Sequence, residues 1–310
     1  MMRVLVTGGS GAIGSFVVEE LVNRGDEVTV FDIGPPTQDK VSFVKGDITD
    51  IESVLDAVSG VDAVIHLAAI LPPACEQDPH RAEKINVGGT LNILDAIQGT
   101  GKRVVCLSSK GALGSMAGQY AHPTYEPVGE SHYKNPVNVY GTTKMAVEQY
   151  CQAYSANKNV DVSVVRLSST WGPGKGPRHG ELDLISRMIE GAARGKRIHV
   201  TGGDQRNDLV YYADIAQGLV RLVGAVRLPH LVYHIGSGRV VKLSDFGVAL
   251  ADLFPDSLLT IEGGLNYFEQ IQPTYCLLDI SRARQDIGYE PKFDVEAGVK
   301  DYLLRMGIDT

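Results

Sequence analysis

The stretch Thr7-Gly8-Gly9-Ser10-Gly11-Ala12-Ile13-Gly14 decides the reading of the fold. It follows the apolar run Val4–Val6 and opens a segment in which Ile13, Val17 and Leu21 recur at helical spacing before Gly25 stops it. Small residues let the backbone turn tightly and approach a pyrophosphate. The helix N-terminus then offers it free N–H groups and a partial positive charge. Three glycines alone are a weak signal, but here strand, turn and helix follow in order. The contacts expected of this turn fall on Gly8, Gly11, Ala12, Ile13 and Gly14.

Working outward, the next apolar run, Val28–Phe31, ends at Asp32, eighteen residues past Gly14. A carboxylate there is placed to bind the ribose hydroxyls of adenosine and repels a 2′-phosphate. Ile33-Gly34-Pro35-Pro36 offers no arginine to receive one, so NAD is favoured over NADP. Further Val- and Ile-rich runs, Val41–Val44, Ala63–Leu67, Val104–Leu107 and Val162–Leu167, lack strict polar alternation, as strands covered on both faces do. Helical segments separate them: Ser15–Arg24, Ile51–Val58, Arg81–Gly99 and Val137–Asn157. The alternation predicts an α/β doubly wound parallel sheet.

After Leu167 the texture changes at the glycine- and proline-rich break Gly172-Pro-Gly-Lys-Gly-Pro. Helices over Leu182–Arg194 and Ala213–Val223 and a run Ile198–Val200 follow, then a mixed tail from Leu228 to Thr310. Residues 1–170 are expected to form the dinucleotide-binding domain, its sheet completed by parts of 208–235. Residues 171–310 form a smaller, mainly substrate-binding α/β part interleaved with it.

A formal net charge of −8 argues against a nucleic-acid partner. Cys75, Cys106, Cys151 and Cys276 form no C-x-x-C pair and have no histidine at ligand spacing, so reduced thiols and no metal are expected. No apolar run reaches the roughly 18 residues of a membrane helix. The N-terminus enters Arg3-Val-Leu-Val-Thr-Gly directly, which leaves no room for a signal peptide. A cytoplasmic enzyme acting on a small molecule is expected.

Tyr140-Gly-Thr-Thr-Lys144 opens a helical stretch, and positions i and i+4 share a face. An ammonium beside a phenol favours the phenolate, which suits Tyr140 to exchange a proton near neutral pH. Hydride transfer at a carbinol carbon needs such a partner on the oxygen. Ser109, past the end of Val104–Leu107, supplies a second hydrogen bond.

These residues resemble the extended short-chain dehydrogenase/reductase family, the NAD-dependent epimerase/dehydratase group with its Rossmann sheet. The resemblance covers nearly the whole chain. Gly46-Asp47-Ile48-Thr49-Asp50 is similar to the segment whose Asp reaches the adenine, and His66-Leu67-Ala68-Ala69 to the strand end beside the cofactor. Asn86-Val-Gly-Gly-Thr90 matches the helix that follows. Ser108-Ser109, Tyr140 and Lys144 match the catalytic set. Arg166 to Gly174, with Leu167 and Ser169, resembles R-P-x-N-V-Y-G-P-G, and Asp279-Ile-Ser-Arg-Ala283 the late D-x-S-K-A. Arg206 to Ala216 resembles R-D-F-V-Y-V-D-D-V-A with one extra residue after the arginine.

The resemblance implies Tyr140 as acid/base and Lys144 lowering its pKa while binding the nicotinamide ribose. Ser109 orients the reacting oxygen. Cofactor contacts extend to Ile33, Asp47, Ile48, Leu67, Ala68, Ala69, Asn86, Ser108, Leu167 and Ser169. The segments Arg81–Gly99 and Val137–Asn157 imply a homodimer.

The departures narrow the chemistry. Dehydratases of this group follow the catalytic Thr with Asp-Glu; here Lys110-Gly111-Ala112 follows Ser109, which disfavours 4,6-dehydration and decarboxylation. Ser169 stands where nucleotide-sugar enzymes usually have Asn. Arg206 is the candidate diphosphate ligand, and no second arginine precedes Asp279 in Gln270–Leu278. Lys175, Arg178 and His179 are either substitutes for it or a solvated loop. The main expectation is a nucleotide-sugar epimerase working through a transient 4-keto intermediate, with Ser109, Ser169 and Arg206 at the substrate. The alternative is an NAD-dependent dehydrogenase of a small sugar, sugar acid or hydroxy compound. A cofactor-binding regulator without turnover is the third reading, and the intact Tyr140–Lys144 pair argues against it.

Overall fold

The computed structural model describes residues 1–174 and 184–309. Lys175, Arg178 and His179 lie outside the described residues, as do the first two residues of the helix expected at Leu182. The nucleotide half runs β1 (Arg3–Thr7), α1 (Ala12–Arg24), β2 (Glu27–Asp32), β3 (Ser42–Lys45), α2 (Ile51–Ser59) and β4 (Ala63–His66). The short helices α3 (Ala74–Gln77) and α4 (Pro79–Ala82) lead into α5 (Gly89–Ile97) and β5 (Arg103–Ser109). Then come β6 (Pro127–Val128), α6 (Val139–Lys158), β7 (Asp161–Leu167) and β8 (Ser169–Trp171). The remainder comprises α7 (Leu184–Ala193), β9 (Ile198–Val200), β10 (Arg206–Asn207), β11 (Leu209–Tyr211), α8 (Tyr212–Gly224), β12 (Val232–Ile235) and β13 (Val241–Lys242). It closes with α9 (Leu243–Leu253), β14 (Leu259–Ile261), β15 (Leu277–Leu278), α10 (Ser281–Ile287) and α11 (Val295–Arg305).

Seven strands form one sheet in the order β12-β7-β5-β4-β1-β2-β3, every pair parallel. The strand order reverses between β1 and β4, which opens a crevice above their carboxyl ends, the place where open α/β sheets bind ligands. The Val- and Ile-rich runs fit this position because apolar side chains on both faces meet helices. One face packs on α1 and α8 through Val17, Leu21, Ile215 and Leu219, in a core continuous with Phe246 of α9 and Tyr302 of α11. The other packs on α2, α5 and α6 through Val54, Ile93, Leu94, Val147 and Cys151. The strand expected at Val41–Val44 is found one residue later and sits exposed at the sheet edge.

The helix expected over Arg81–Gly99 is found as an unbroken helical run from Pro79 to Ile97 that contains one π-helical turn. A π-helical turn, Glu83–Gly88, separates α4 from α5. Such a turn holds one extra residue per turn and is favoured where it aims a side chain. Here it carries Asn86, whose amide accepts from Ile70 N at 2.9 Å and donates to Ile70 O and to Thr143 Oγ1, both at 3.1 Å. Among the described residues no helix is long and apolar enough to cross a membrane. The four cysteines are free and buried.

Candidate active site

The glycine turn joins β1 to α1 at the crevice. Gly8 has φ +71°, and a Cβ on it would lie 2.7 Å from Ala68 N. A Cβ on Gly14 would lie 2.3 Å from Gly8 O and 2.7 Å from Gly9 Cα. Both obstacles are backbone, so neither can move aside. Helix α1 starts at Gly11 without a side-chain cap, which leaves its first-turn N–H groups to an anion. The Asp32 carboxylate accepts from Ser10 N at 3.0 Å and Ile33 N at 2.7 Å, tying the end of β2 to the turn. Ile33 itself is exposed. Asp47 accepts from Thr49 N at 2.9 Å in the loop after β3, and Ile48 packs beneath Gly89.

A buried polar line leads from this turn to the catalytic helix. Thr90 donates to Asn86 O at 2.7 Å, so its oxygen accepts from His66 Nε2 at 3.1 Å. His66 Nδ1 then accepts from Thr7 Oγ1 at 2.7 Å, and Ala68 N donates to that oxygen at 3.4 Å. Asn86 meets Thr143, and Thr143 donates to Tyr140 O at 2.8 Å. Leu67, Ala68 and Ala69 lie just beyond β4, over the turn.

His66 is held neutral. Burial, then the Lys144 charge, lowers its pKa from 6.5 to about 3. The unfolded chain therefore binds a proton that the folded chain refuses between these values. Stability present above pH 6.5 is lost as the pH falls, at about 1.4 kcal/mol per pH unit. His234 is lowered to about 3 as well, by burial and then Arg166. The expected result is steep acid unfolding below pH 6.5, which His66→Gln makes shallower. Urea midpoints measured at pH 7 and pH 5 check this.

Ser109, Tyr140 and Lys144 come together. Ser109 ends β5, and its Oγ accepts from Gly111 N at 3.0 Å and is hydrogen-bonded to Tyr140. Tyr140 and Lys144 stand one turn apart on α6, with Lys144 Nζ 5.7 Å from the Tyr140 ring centroid. Nζ donates to Leu107 O at 2.9 Å. A Cβ on Gly141 would lie 2.4 Å from Gly111 O, so glycine there lets α6 close on the turn after Ser109. Asn138 caps α6 by accepting from Gly141 N at 2.8 Å. Glu76 accepts from Val139 N and Tyr140 N at 3.1 and 3.2 Å, a carboxylate on the positive end of the helix.

One electrostatic expectation needs correction. Burial raises the Tyr140 pKa, and the Ser109 hydrogen bond only partly opposes it. Lys144 is itself lowered to about 8, chiefly by burial. Desolvation, which the i, i+4 spacing does not reveal, is thus the largest influence on both groups.

Ser108 faces the other way. It donates to Glu148 Oε1 at 2.6 Å, and Glu148 takes a bidentate pair of bonds from Arg166 at 2.8 and 2.7 Å. This buried pair ties α6 to β7 beneath the site. Leu167 pairs with Ser109 across β7 and β5. Ser169 Oγ accepts from Asn207 Nδ2 at 2.8 Å. Arg206, expected at the substrate, is exposed, whereas Asn207 is fully buried. Sequence reasoning also passed over Lys110, a buried cation directly after Ser109. Among the described residues no group of three or more His, Cys, Asp or Glu side chains could hold a metal ion.

The profile of the NAD dependent epimerase/dehydratase family matches residues 4–236. UDP-glucuronic acid decarboxylase 6 of Arabidopsis thaliana is 29% identical over 334 aligned residues, covering 99% of this chain and 90% of the relative. The UDP-glucose 4-epimerase of Thermus thermophilus, solved with NAD, superposes with a TM-score of 0.83 at 25% identity over 99% of both chains. The L-threonine dehydrogenase of Cupriavidus necator gives 0.84 at 25% identity over 97% of this chain and 99% of the other. The two solved proteins share this fold, while the reactions in the names of the three relatives differ. The chain belongs to the NAD dependent epimerase/dehydratase family.

Proposed function

We propose that this chain is an NAD-dependent epimerase of a nucleotide-linked sugar, working through a transient 4-keto intermediate. The observation that carries the reading is the Ser109–Tyr140–Lys144 set, joined by α6 and β5, with no acid in the Lys110–Ala112 turn that follows. The glycine cradle fits NAD. Its backbone leaves no room for a Cβ at Gly8 or Gly14, the start of α1 is uncapped, and Asp32 stands at the end of β2. Gly11, Ala12 and Ile13 would hold the pyrophosphate, Asp32 and Ile33 the adenosine ribose, and Asp47 and Ile48 the adenine. Leu67, Ala68, Ala69, Asn86, Ser108, Leu167 and Ser169 would wall the rest.

When bound, NAD supplies a hydride acceptor at the carbinol carbon and can return the hydride to either face of the ketone. Once ionised, Tyr140 accepts the hydroxyl proton as the carbonyl forms and gives it back as the carbonyl is reduced. Lys144 stabilises the phenolate during that exchange, because a cation nearby favours the charged form. Ser109 donates to the substrate oxygen and fixes its distance from Tyr140. No carboxylate stands at 110–112 to abstract a second proton, so the residues support return of the hydride rather than elimination.

Asp32 sets the cofactor preference. The parent chain is expected to bind NAD about 100-fold more tightly than NADP, because a carboxylate opposes a 2′-phosphate. Asp32→Ala should narrow that ratio and weaken NAD as well, since Ser10 N and Ile33 N lose their acceptor. Calorimetric titration with both dinucleotides reads the result.

UDP is expected to raise the melting temperature of the NAD-saturated protein; no response to any nucleoside diphosphate would count against a nucleotide-linked substrate. The second reading, a dehydrogenase of a small sugar acid or hydroxy compound, is favoured by Asn207, not an arginine, facing Ser169. Net reduction of NAD separates it from epimerisation. We also assign the enzyme to the cytoplasm as a homodimer. The pairing surface assigned is the outer face of α6, where Tyr150 is exposed and Met145 and Ala146 are half-buried.

A further inference from the structure

Lys110 follows Ser109 directly, yet only 7% of its surface is exposed. A buried ammonium is costly unless its three donors find acceptors. Among the described residues Nζ has one hydrogen-bond acceptor, Asn207 Oδ1 at 3.0 Å. The Lys110 ammonium has donors only, so it fixes the Asn207 oxygen towards itself, and Nδ2 on the other side donates to Ser169 Oγ at 2.8 Å and to Tyr267 OH at 3.0 Å. The Asn207 oxygen is thereby committed to Lys110. Tyr267 is as buried as Lys110. It spends its oxygen on Asn207, and its own proton has no acceptor among the described residues.

Asp208 is the carboxylate felt by Lys110. Its oxygens accept from Ser237 N, Ser237 Oγ and Leu278 N, at 2.8, 2.8 and 3.2 Å, and it forms no ion pair with Lys110. Two ammonium donors and one phenol donor are thus left over, held side by side by a single amide, in the wall that begins one residue past Ser109. One positive charge and a few converging donors match one negative charge with two oxygens. They are too few for a diphosphate, which is gripped by several arginines.

We propose that Lys110 and Tyr267, held by Asn207, form a subsite for a carboxylate of the substrate, next to the carbinol carbon served by Ser109 and Tyr140. The inference rests on the reading of Ser109 and Tyr140 as the reacting end. It narrows the substrate class to hydroxy acids, such as a uronic acid, whether free or nucleotide-linked. The incoming carboxylate completes the hydrogen bonding of Lys110 and restores the charged form that burial disfavours.

The test uses the full chain saturated with NAD and two matched pairs of probes, UDP-glucuronate against UDP-glucose and D-glucuronate against D-glucose, in calorimetric titrations. The acid of at least one pair should bind about ten-fold or more tightly than its neutral partner. Lys110→Met should erase that preference and Tyr267→Phe should reduce it, with NAD affinity unchanged in both. Equal binding of acid and neutral partner by the parent, a preference that survives Lys110→Met, or no binding of any probe overturns the proposal. The parent comparison needs no variant, so a Lys110→Met chain that fails to fold does not spare it. Turnover separates the two readings. If acid and neutral partner bind equally, a neutral sugar is converted and Tyr140→Phe abolishes the conversion, the carboxylate subsite falls and the hydride chemistry stands. If the acid binds through Lys110 but no probe is ever converted, the subsite stands and the hydride chemistry falls.

Discussion

Tyr140→Phe is expected to lower turnover by about 1,000-fold, within the range that a single proton-transfer group contributes. NAD affinity should change little, because the lost atom is the phenol oxygen and the ring remains on α6. The phenol is the one group in the Ser109–Tyr140–Lys144 set that can both take and return the substrate proton. Ser109 is engaged with Gly111 N, and Lys144 donates to Leu107 O. Steady-state rates with parallel NAD titration check this; turnover within about three-fold of the parent would remove Tyr140 from the reaction.

The second large effect is expected at Gly14. An alanine there places Cβ 2.3 Å from Gly8 O and 2.7 Å from Gly9 Cα. The turn must open, and opening it moves the N–H groups of α1 away from a pyrophosphate. Loss of about 100-fold in NAD affinity, roughly 3 kcal/mol, is expected. Gly34→Ala is the control, because a Cβ at Gly34 meets nothing within 4 Å. NAD titrations of the two variants, with melting curves to separate affinity from folding, should show the loss at Gly14 alone.

Much of the site was legible in the sequence because its residues sit at the ends of regular elements. Gly8 to Gly14 follow a strand, Ser109 ends one, and Tyr140 and Lys144 share a helix face. The strand and helix ends follow from periodicity, and the choice of Ser109, Tyr140 and Lys144 at those ends follows from the family resemblance. The substrate side was less legible because it hangs on strands two or three residues long, such as β10 and β15, which carry no periodic signal. Arg206 stands out by residue type, whereas the burial of Asn207 beside it and its bond to Ser169 come only from the folded chain. The π turn at Glu83–Gly88 gave no signal either, since a helical pattern does not show one extra residue.

Charge was the other blind spot. The i, i+4 spacing suggests that Lys144 lowers the Tyr140 pKa, but burial decides the balance and is a property of the folded chain. The same holds for Lys110. In the sequence it is a missing acid after Ser109. In the structure it is a buried cation with donors to spare.

The central claim is reversible oxidation of a carbinol carbon by a chain that keeps its redox balance. Proton NMR of UDP-glucose and UDP-glucuronate, each incubated with the protein and NAD, tests it most directly. The account predicts that the C4 epimer of UDP-glucuronate grows in to equilibrium with no net reduced nicotinamide. Neither sugar altered at C4, with no reduced nicotinamide formed, would contradict it.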